Sequence, residues 1–157
     1  RAGAQGLAGL PMEVILTSGR QRSIADLDLG ELAPNIHAAD WINHNTLLPQ
    51  CSVLVTTGGA GTVMSALRAG VPLVIIPTTW DKPDNARRIV DAGVGVRLPA
   101  KRCTPAGLRA VVGEVLSKPR YRENAQRLAE RLNAASGPTQ AVALLEELAA
   151  SRMSVTR

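Results

Sequence analysis

Between residues 12 and 98 short apolar runs alternate with amphipathic stretches, and each run ends at a glycine, a proline or a polar residue. Residues 12–17 (MEVILT), closed by Ser18-Gly19, predict a buried strand ending in a turn. Residues 20–34 are polar and predict a loop. A second short strand is expected over 35–39 (NIHAA), a brief helix over 45–50, and a third strand over 52–56 (SVLVT). A helix follows from Thr62 to about Ala69 and stops at Gly70. Residues 71–76 (VPLVII) make the most hydrophobic strand, ended by Pro77. A loop carrying Trp80 and Asp81 then enters a helix to about Asp91. Gly93 and Gly95 break that helix, and residues 94–98 predict a last strand.

Beyond residue 103 the pattern is wholly helical. Thr104-Pro105 reads as an N-cap followed by proline at the first helical position, opening a helix to about Ser117. Another helix is expected over 121–135. A third starts at Pro138, with Ala141, Leu144, Leu145 and Leu148 on one face and a short polar tail after Ala150. Residues 1–11 read as the end of a helix, so the chain is expected to be a fragment of a longer protein. Strands alternating with helices over short connections predict right-handed crossovers on a parallel sheet. The expected fold is therefore α/β, a Rossmann-like parallel sheet flanked by helices and ending in C-terminal helices. Ligands of such sheets bind beyond the carboxyl ends of the strands. The loops placed there are Ser18-Gly19, Asp40-Trp41, residues 58–61 and residues 78–84.

Composition narrows the picture. The 157 residues are 45% apolar, enough for one domain with its own core. Only 2% are aromatic and none is Phe, so the core is built from Leu, Val, Ile and Ala. That suits a β-branched parallel sheet and argues against a single-stranded nucleic-acid platform, which needs aromatic side chains to stack bases. The net charge of +5 favours an anionic partner, but the basic residues are scattered and form no nucleic-acid arm. Cys51 and Cys103 have neither a CxxC partner nor metal-ligand spacing, which reads as thiols in a reducing cytosol. No apolar stretch reaches membrane-spanning length and no signal peptide opens the chain, so the expected location is cytoplasmic.

The most informative segment is Val55-Thr56-Thr57-Gly58-Gly59-Ala60-Gly61-Thr62. A strand runs into three glycines and a helix begins at once. Glycines let a ligand approach the backbone closely, and a helix start offers unpaired N–H groups with the positive end of the dipole. The chemistry suits phosphate, with Thr57 and Thr62 able to add hydroxyl donors. The loop is neither a P-loop nor GxGxxG, and α/β proteins also place glycines here for packing, so by itself it leaves both readings open. In the loop after the next strand, Asp81 and Lys82 can accept from and donate to a polar ligand. Asp81 is equally well placed as an N-cap, with Asp84 in the first turn. Trp80 either covers the edge of the core or walls a pocket.

Taken in order, Trp41, Leu47-Leu48-Pro49, Gly58-Gly59-x-Gly61-Thr62, Ala69-Gly70-Val71-Pro72, Pro77, Asp81 and Asn85-Ala86 resemble the C-terminal domain of GT-B-fold glycosyltransferases. The similar subgroup is the bacterial enzymes that glycosylate natural products such as macrolides, related to plant UDP-glycosyltransferases. The resemblance runs from about residue 12 to the end. It implies that Thr57, Gly58, Gly59, Ala60, Gly61 and Thr62 cradle the diphosphate of a UDP- or TDP-sugar. It places Trp41 and Ile42 at the nucleobase, Ser65 at the ribose, and Asp81 and Lys82 at the donor sugar. It further implies a co-substrate in place of a cofactor and no essential metal. The acceptor, a small natural product, and the catalytic base belong to an N-terminal domain, so none is assigned here and the isolated fragment is expected to be inactive. Nucleic acid is not an expected partner, and a homodimer is left open.

Two departures from the family pattern stand out. Thr57 occupies the position of a histidine, and Lys82 that of a glutamine in an Asp-Gln pair. Lys82 is a candidate to restore positive charge near the phosphates. Asp26-Leu27-Asp28 forms a DxD triplet, a metal-holding motif in other glycosyltransferases, but it lies in a polar loop away from the phosphate motif. His37 and His44 read as structural or exposed residues. The rival functions are a nucleotide-sugar epimerase of the same fold, a lipid-linked glycosyltransferase, and a non-catalytic donor domain that helps a partner.

Overall fold

The computed structural model describes residues 2–19, 23–134 and 137–154. Helix α1 (Ala2–Gly6) precedes strand β1 (Val14–Thr17), β2 (Ile36–Ala39) and helix α2 (His44–Leu47). There follow β3 (Leu54–Thr56), α3 (Ala60–Arg68), β4 (Leu73–Ile75), α4 (Lys82–Asp91) and β5 (Gly95–Arg97). Helices α5 (Pro105–Ser117), α6 (Pro119–Ala134) and α7 (Gly137–Ser154) complete the chain. Every strand pairing is parallel, β1 with β2 and β4 between β3 and β5. Helices α3 and α4 are the crossovers that parallel neighbours need.

Strand β4 organises the core. Its three residues are fully buried, and because side chains alternate across a strand they face two different layers. Leu73 and Ile75 pack with Val63, Ala66 and Leu67 of α3, Ala86 and Ile89 of α4, and Ala125 of α6. Val74 points the other way, into a cluster holding Ala4 of α1, Val14 of β1, Ile36 of β2 and Leu108, Val112 and Val115 of α5. Helices thus cover both faces, the three-layer α/β arrangement expected from the alternation of elements.

Polar clamps hold the segments that carry no strand. The Asn35 side-chain amide donates to the carbonyls of Leu7 (3.0 Å), Leu10 (3.3 Å) and Met12 (3.0 Å), and its oxygen accepts from Gly9 N. Arg109 of α5 donates to Gly6 O and Ala8 O, both at 2.7 Å. Arg122 of α6 donates to Gly70 O, Cys51 O and Ser52 O at 2.8–3.0 Å, tying α6 to the end of α3 and the approach to β3.

The elements differ from expectation in three places. The strands form two ladders, β1-β2 and β3-β4-β5, where one sheet was expected. Helix α3 starts at Ala60, two residues earlier than Thr62, so the glycine loop overlaps its first turn. Helix α7 runs on to Ser154 where a polar tail was expected, carried by strong helix formers among residues 149–154. Its apolar residues Val142, Leu144, Leu145 and Leu148 are exposed. Among the described residues no helix is long and apolar enough to cross a membrane.

Candidate functional site

Strand β3 delivers the chain to the glycine loop. Gly58 turns it with φ +94°, a conformation that L side chains rarely adopt, and its N–H donates to Thr56 Oγ1 at 3.3 Å. A Cβ at Gly58 would sit 2.7 Å from Ile75 Cγ2, so this glycine also serves packing. Gly59 is the N-cap of α3 and brings no capping side chain; its carbonyl accepts from Val63 N at 3.0 Å. The N–H groups of Ala60, Gly61 and Thr62 therefore lie in the first turn, with no helical carbonyl to pair with. A Cβ added at Gly59 or at Gly61 would meet nothing within 4 Å. Ala60 and Gly61 are exposed, as is Thr57. An exposed α-helix N-terminus, with glycine at its cap and in its first turn, is a geometry suited to an anion.

The aspartate loop is fastened to the glycine loop. Asn85 Nδ2 donates to Gly58 O at 2.9 Å and to Asp81 Oδ2 at 2.9 Å. Asp81 occupies the N-cap position of α4, but its carboxylate makes no capping bond and is held by Asn85 instead. Lys82 Nζ donates to Thr78 Oγ1 at 3.1 Å. Among the described residues it forms no ion pair. An ammonium at the first residue of a helix sits against the positive end of the dipole, and the bond to Thr78 is the contact that offsets this. Trp80 covers no core, being 93% exposed. Its φ of +67° makes it the one non-glycine residue with positive φ among those described. For so bulky a side chain that conformation costs on the order of 1–3 kcal/mol.

The remaining predicted residues stand on other elements. Trp41 and Ile42 lie in the loop after β2, between two local braces. On one side the Asp40 carboxylate accepts from Ile24 N and Ser23 Oγ; on the other, Asn43 caps α2 by accepting from Asn45 N at 3.0 Å. Trp41 is half exposed. Ser65 is on α3, one turn beyond the glycines, and donates to Gly61 O at 3.0 Å, which leaves its oxygen able to accept. Asp26 ends a 3-10 turn, and Asp26 and Asp28 are both exposed. His37 pairs with Glu13 in an exposed contact, and His44 opens α2. A concavity of about 880 Å³ lies between α4, β5 and the start of α6, away from the glycine loop. The sequence reading assigned no role to Asn85, although an asparagine one helical turn after Asp81 was visible.

Residues 4–148 match the family model described as erythromycin biosynthesis protein CIII-like, C-terminal domain. The chain belongs to that family. Among the relatives of this C-terminal domain is 4'-demethylrebeccamycin synthase of Lentzea aerocolonigenes, 37% identical over 142 residues, which are 90% of this chain and 32% of the relative. The chain thus spans about a third of the length of the curated relatives it matches. The glycosyltransferase of kitacinnamycin superposes with a TM-score of 0.84 at 35% identity, covering 93% of this chain and 38% of that one. Glycosyltransferase VinC in complex with dTDP gives 0.85 at 27% identity, covering 96% and 37%. In this erythromycin biosynthesis protein CIII-like domain, the α/β architecture is thus that of one part of a GT-B glycosyltransferase.

Proposed function

We propose that this chain is the donor-binding domain of a glycosyltransferase that moves a hexose from a nucleoside diphosphate to a small natural-product acceptor. One observation carries the reading. Gly59 and Gly61 flank free helix amides, and the fold itself requires glycine at neither position, since a Cβ there would meet nothing. A ligand pressed against the backbone is what a side chain would block. The diphosphate lies on Thr57 to Thr62, and the complex of VinC with dTDP makes TDP the first nucleotide to try. Trp41 and Ile42 take the base, Ser65 the ribose, and Asp81 and Lys82 the sugar.

In the reaction the bond from the anomeric carbon to the diphosphate oxygen breaks and a bond to the acceptor oxygen forms. The acceptor's proton leaves to a base on the N-terminal domain, and negative charge gathers on the departing diphosphate. The amides of α3 and its dipole are already aimed where that charge develops, so they stabilise it without reorganising and no metal is required. The protein works in the cytosol on a small-molecule acceptor.

Calorimetric titration with TDP and UDP, beside a Gly59→Asp variant, tests the reading. Micromolar-scale binding that the variant loses supports it; equal binding by both chains refutes it. Thr57, neutral where a histidine is usual, favours one second reading, a donor domain that assists a partner without turnover. Donor consumption by the protein containing this domain separates the two.

A further inference from the structure

We propose that Trp80 is a stacking platform for the hexose ring of the donor, sharpening the site's preference toward deoxygenated sugars. The inference rests on the donor-domain reading and adds a residue to it. The chain has two tryptophans, one tyrosine and no phenylalanine. Tyr121 is buried in the core, whereas both tryptophans stand exposed on loops that follow strands, Trp41 after β2 and Trp80 after β4. Large aromatic surface has been kept out of the core and placed at the loops where α/β sheets bind ligands.

Within this domain Trp80 carries two costs that its own packing does not recover. Its indole is 93% exposed and buries almost nothing, and its backbone holds φ +67°. Such strain persists only where the surroundings over-determine it, and here they do. The bond from Lys82 Nζ to Thr78 Oγ1 spans the residue, and Asn85 fixes the carboxylate of the next residue, Asp81, to the carbonyl of Gly58. Trp80 thereby stands on the same loop as a carboxylate and an ammonium, next in sequence to Asp81, whose carboxylate is tied through Asn85 to Gly58. A flat, electron-rich, apolar face next to polar side chains matches a pyranose, which presents C–H bonds on one face and hydroxyls at its rim. Each hydroxyl removed from the ring enlarges the apolar face, so a deoxyhexose gains more from the indole than a fully hydroxylated one.

The test compares the chain with Trp80→Ala and Trp80→Asn, titrated with TDP, TDP-glucose and a TDP-6-deoxyhexose. Asparagine tolerates the left-handed backbone and serves as the folding control. Loss of about fivefold in affinity for the TDP-deoxyhexose is expected, on the scale of an aromatic pair, with a smaller loss for TDP-glucose and less than twofold for TDP. In a Trp41→Phe chain, fluorescence from Trp80 should respond to TDP-hexose and not to TDP. Parent-like affinity of both variants for TDP-hexose, in chains that still bind TDP, overturns the proposal and leaves the donor reading standing. A folded parent that binds no TDP sinks the donor reading, and the proposal with it. A raised acceptor KM with unchanged hexose affinity, measured in the full enzyme, would overturn it by assigning the indole to the acceptor.

Discussion

Alanine at Gly58 and alanine at Gly61 should move stability in opposite directions. At Gly58 the backbone sits at φ +94°, and the new methyl would lie 2.7 Å from Cγ2 of Ile75, which is fully buried. Holding an L residue left-handed costs about 1–2 kcal/mol, and forcing a methyl into packed space about 1–3 kcal/mol. Alanine returns roughly 0.5–1 kcal/mol by restricting the unfolded chain. The net loss is about 1–4 kcal/mol, or about 2–16 °C in Tm at this chain length. At Gly61 the methyl meets nothing and the residue is helical, so alanine gains about 0.5 kcal/mol, less than in a helix interior because the first turn frays. For a ligand the ranking reverses. On the proposed donor reading, a methyl at Gly61 would crowd a diphosphate seated on this turn and should weaken TDP binding at least tenfold. Urea unfolding gives the stabilities and calorimetry the affinities. A Gly61→Ala chain that binds TDP like its parent would show that the diphosphate does not lie over this turn. A Gly58→Ala chain as stable as its parent would refute the packing account of Gly58.

Further outcomes follow from the same geometry. Lys82→Gln should weaken TDP binding two- to threefold at low salt, with the difference fading as salt rises; an unchanged affinity at every salt concentration would remove Lys82 from the anion site. Asn85→Asp places a second carboxylate against Asp81 and leaves Gly58 O without a donor, so TDP-hexose affinity should fall about tenfold while circular dichroism stays parent-like. Arg122→Met removes the donor to three carbonyls and should cost about 2–3 kcal/mol in urea unfolding. Glu114 is held below its ordinary value, first by the hydrogen bond from Lys118 and also by that from Tyr121. A depressed folded-state pKa adds stability above the unfolded value and loses it as pH falls through the folded one. Glu114→Gln should therefore flatten the stability profile below about pH 4.5 and leave its slope near pH 7 unchanged.

Much of this was legible because it depends on local chemistry. Thr104 does cap α5, accepting from Gly107 N at 3.1 Å, with Pro105 in the first turn. Gly70 does end α3, at φ +67°. The five strands were found, each overlapping its predicted run, because a buried parallel strand is a continuous apolar run. The site was harder to read, since its decisive features are contacts between distant residues. Periodicity cannot show that Asn85 reaches Gly58, 27 residues back, nor that Asp81 yields its carboxylate to Asn85 instead of capping its helix. The conformation of Trp80 was hidden for a related reason. A left-handed backbone is written in sequence as glycine or asparagine, and a tryptophan in that role has no signature.

The link through Asn85 also bears on how the two candidate loops are held together. One amide group donates to the carbonyl of Gly58 and to the carboxylate of Asp81. Gly58 in turn rests on Ile75, which is fully buried in β4. The glycine loop is thus set by the central strand from below and by α4 from the side. Asp81 and Lys82 are tied into the same frame through Asn85 and Thr78. Any displacement of α4 must either break the bond to Gly58 or carry the phosphate turn with it. Amides pre-set against developing charge are worth most when they need no rearrangement. On the proposed donor reading, a subsite braced this way would keep the leaving group and the anomeric carbon in one frame.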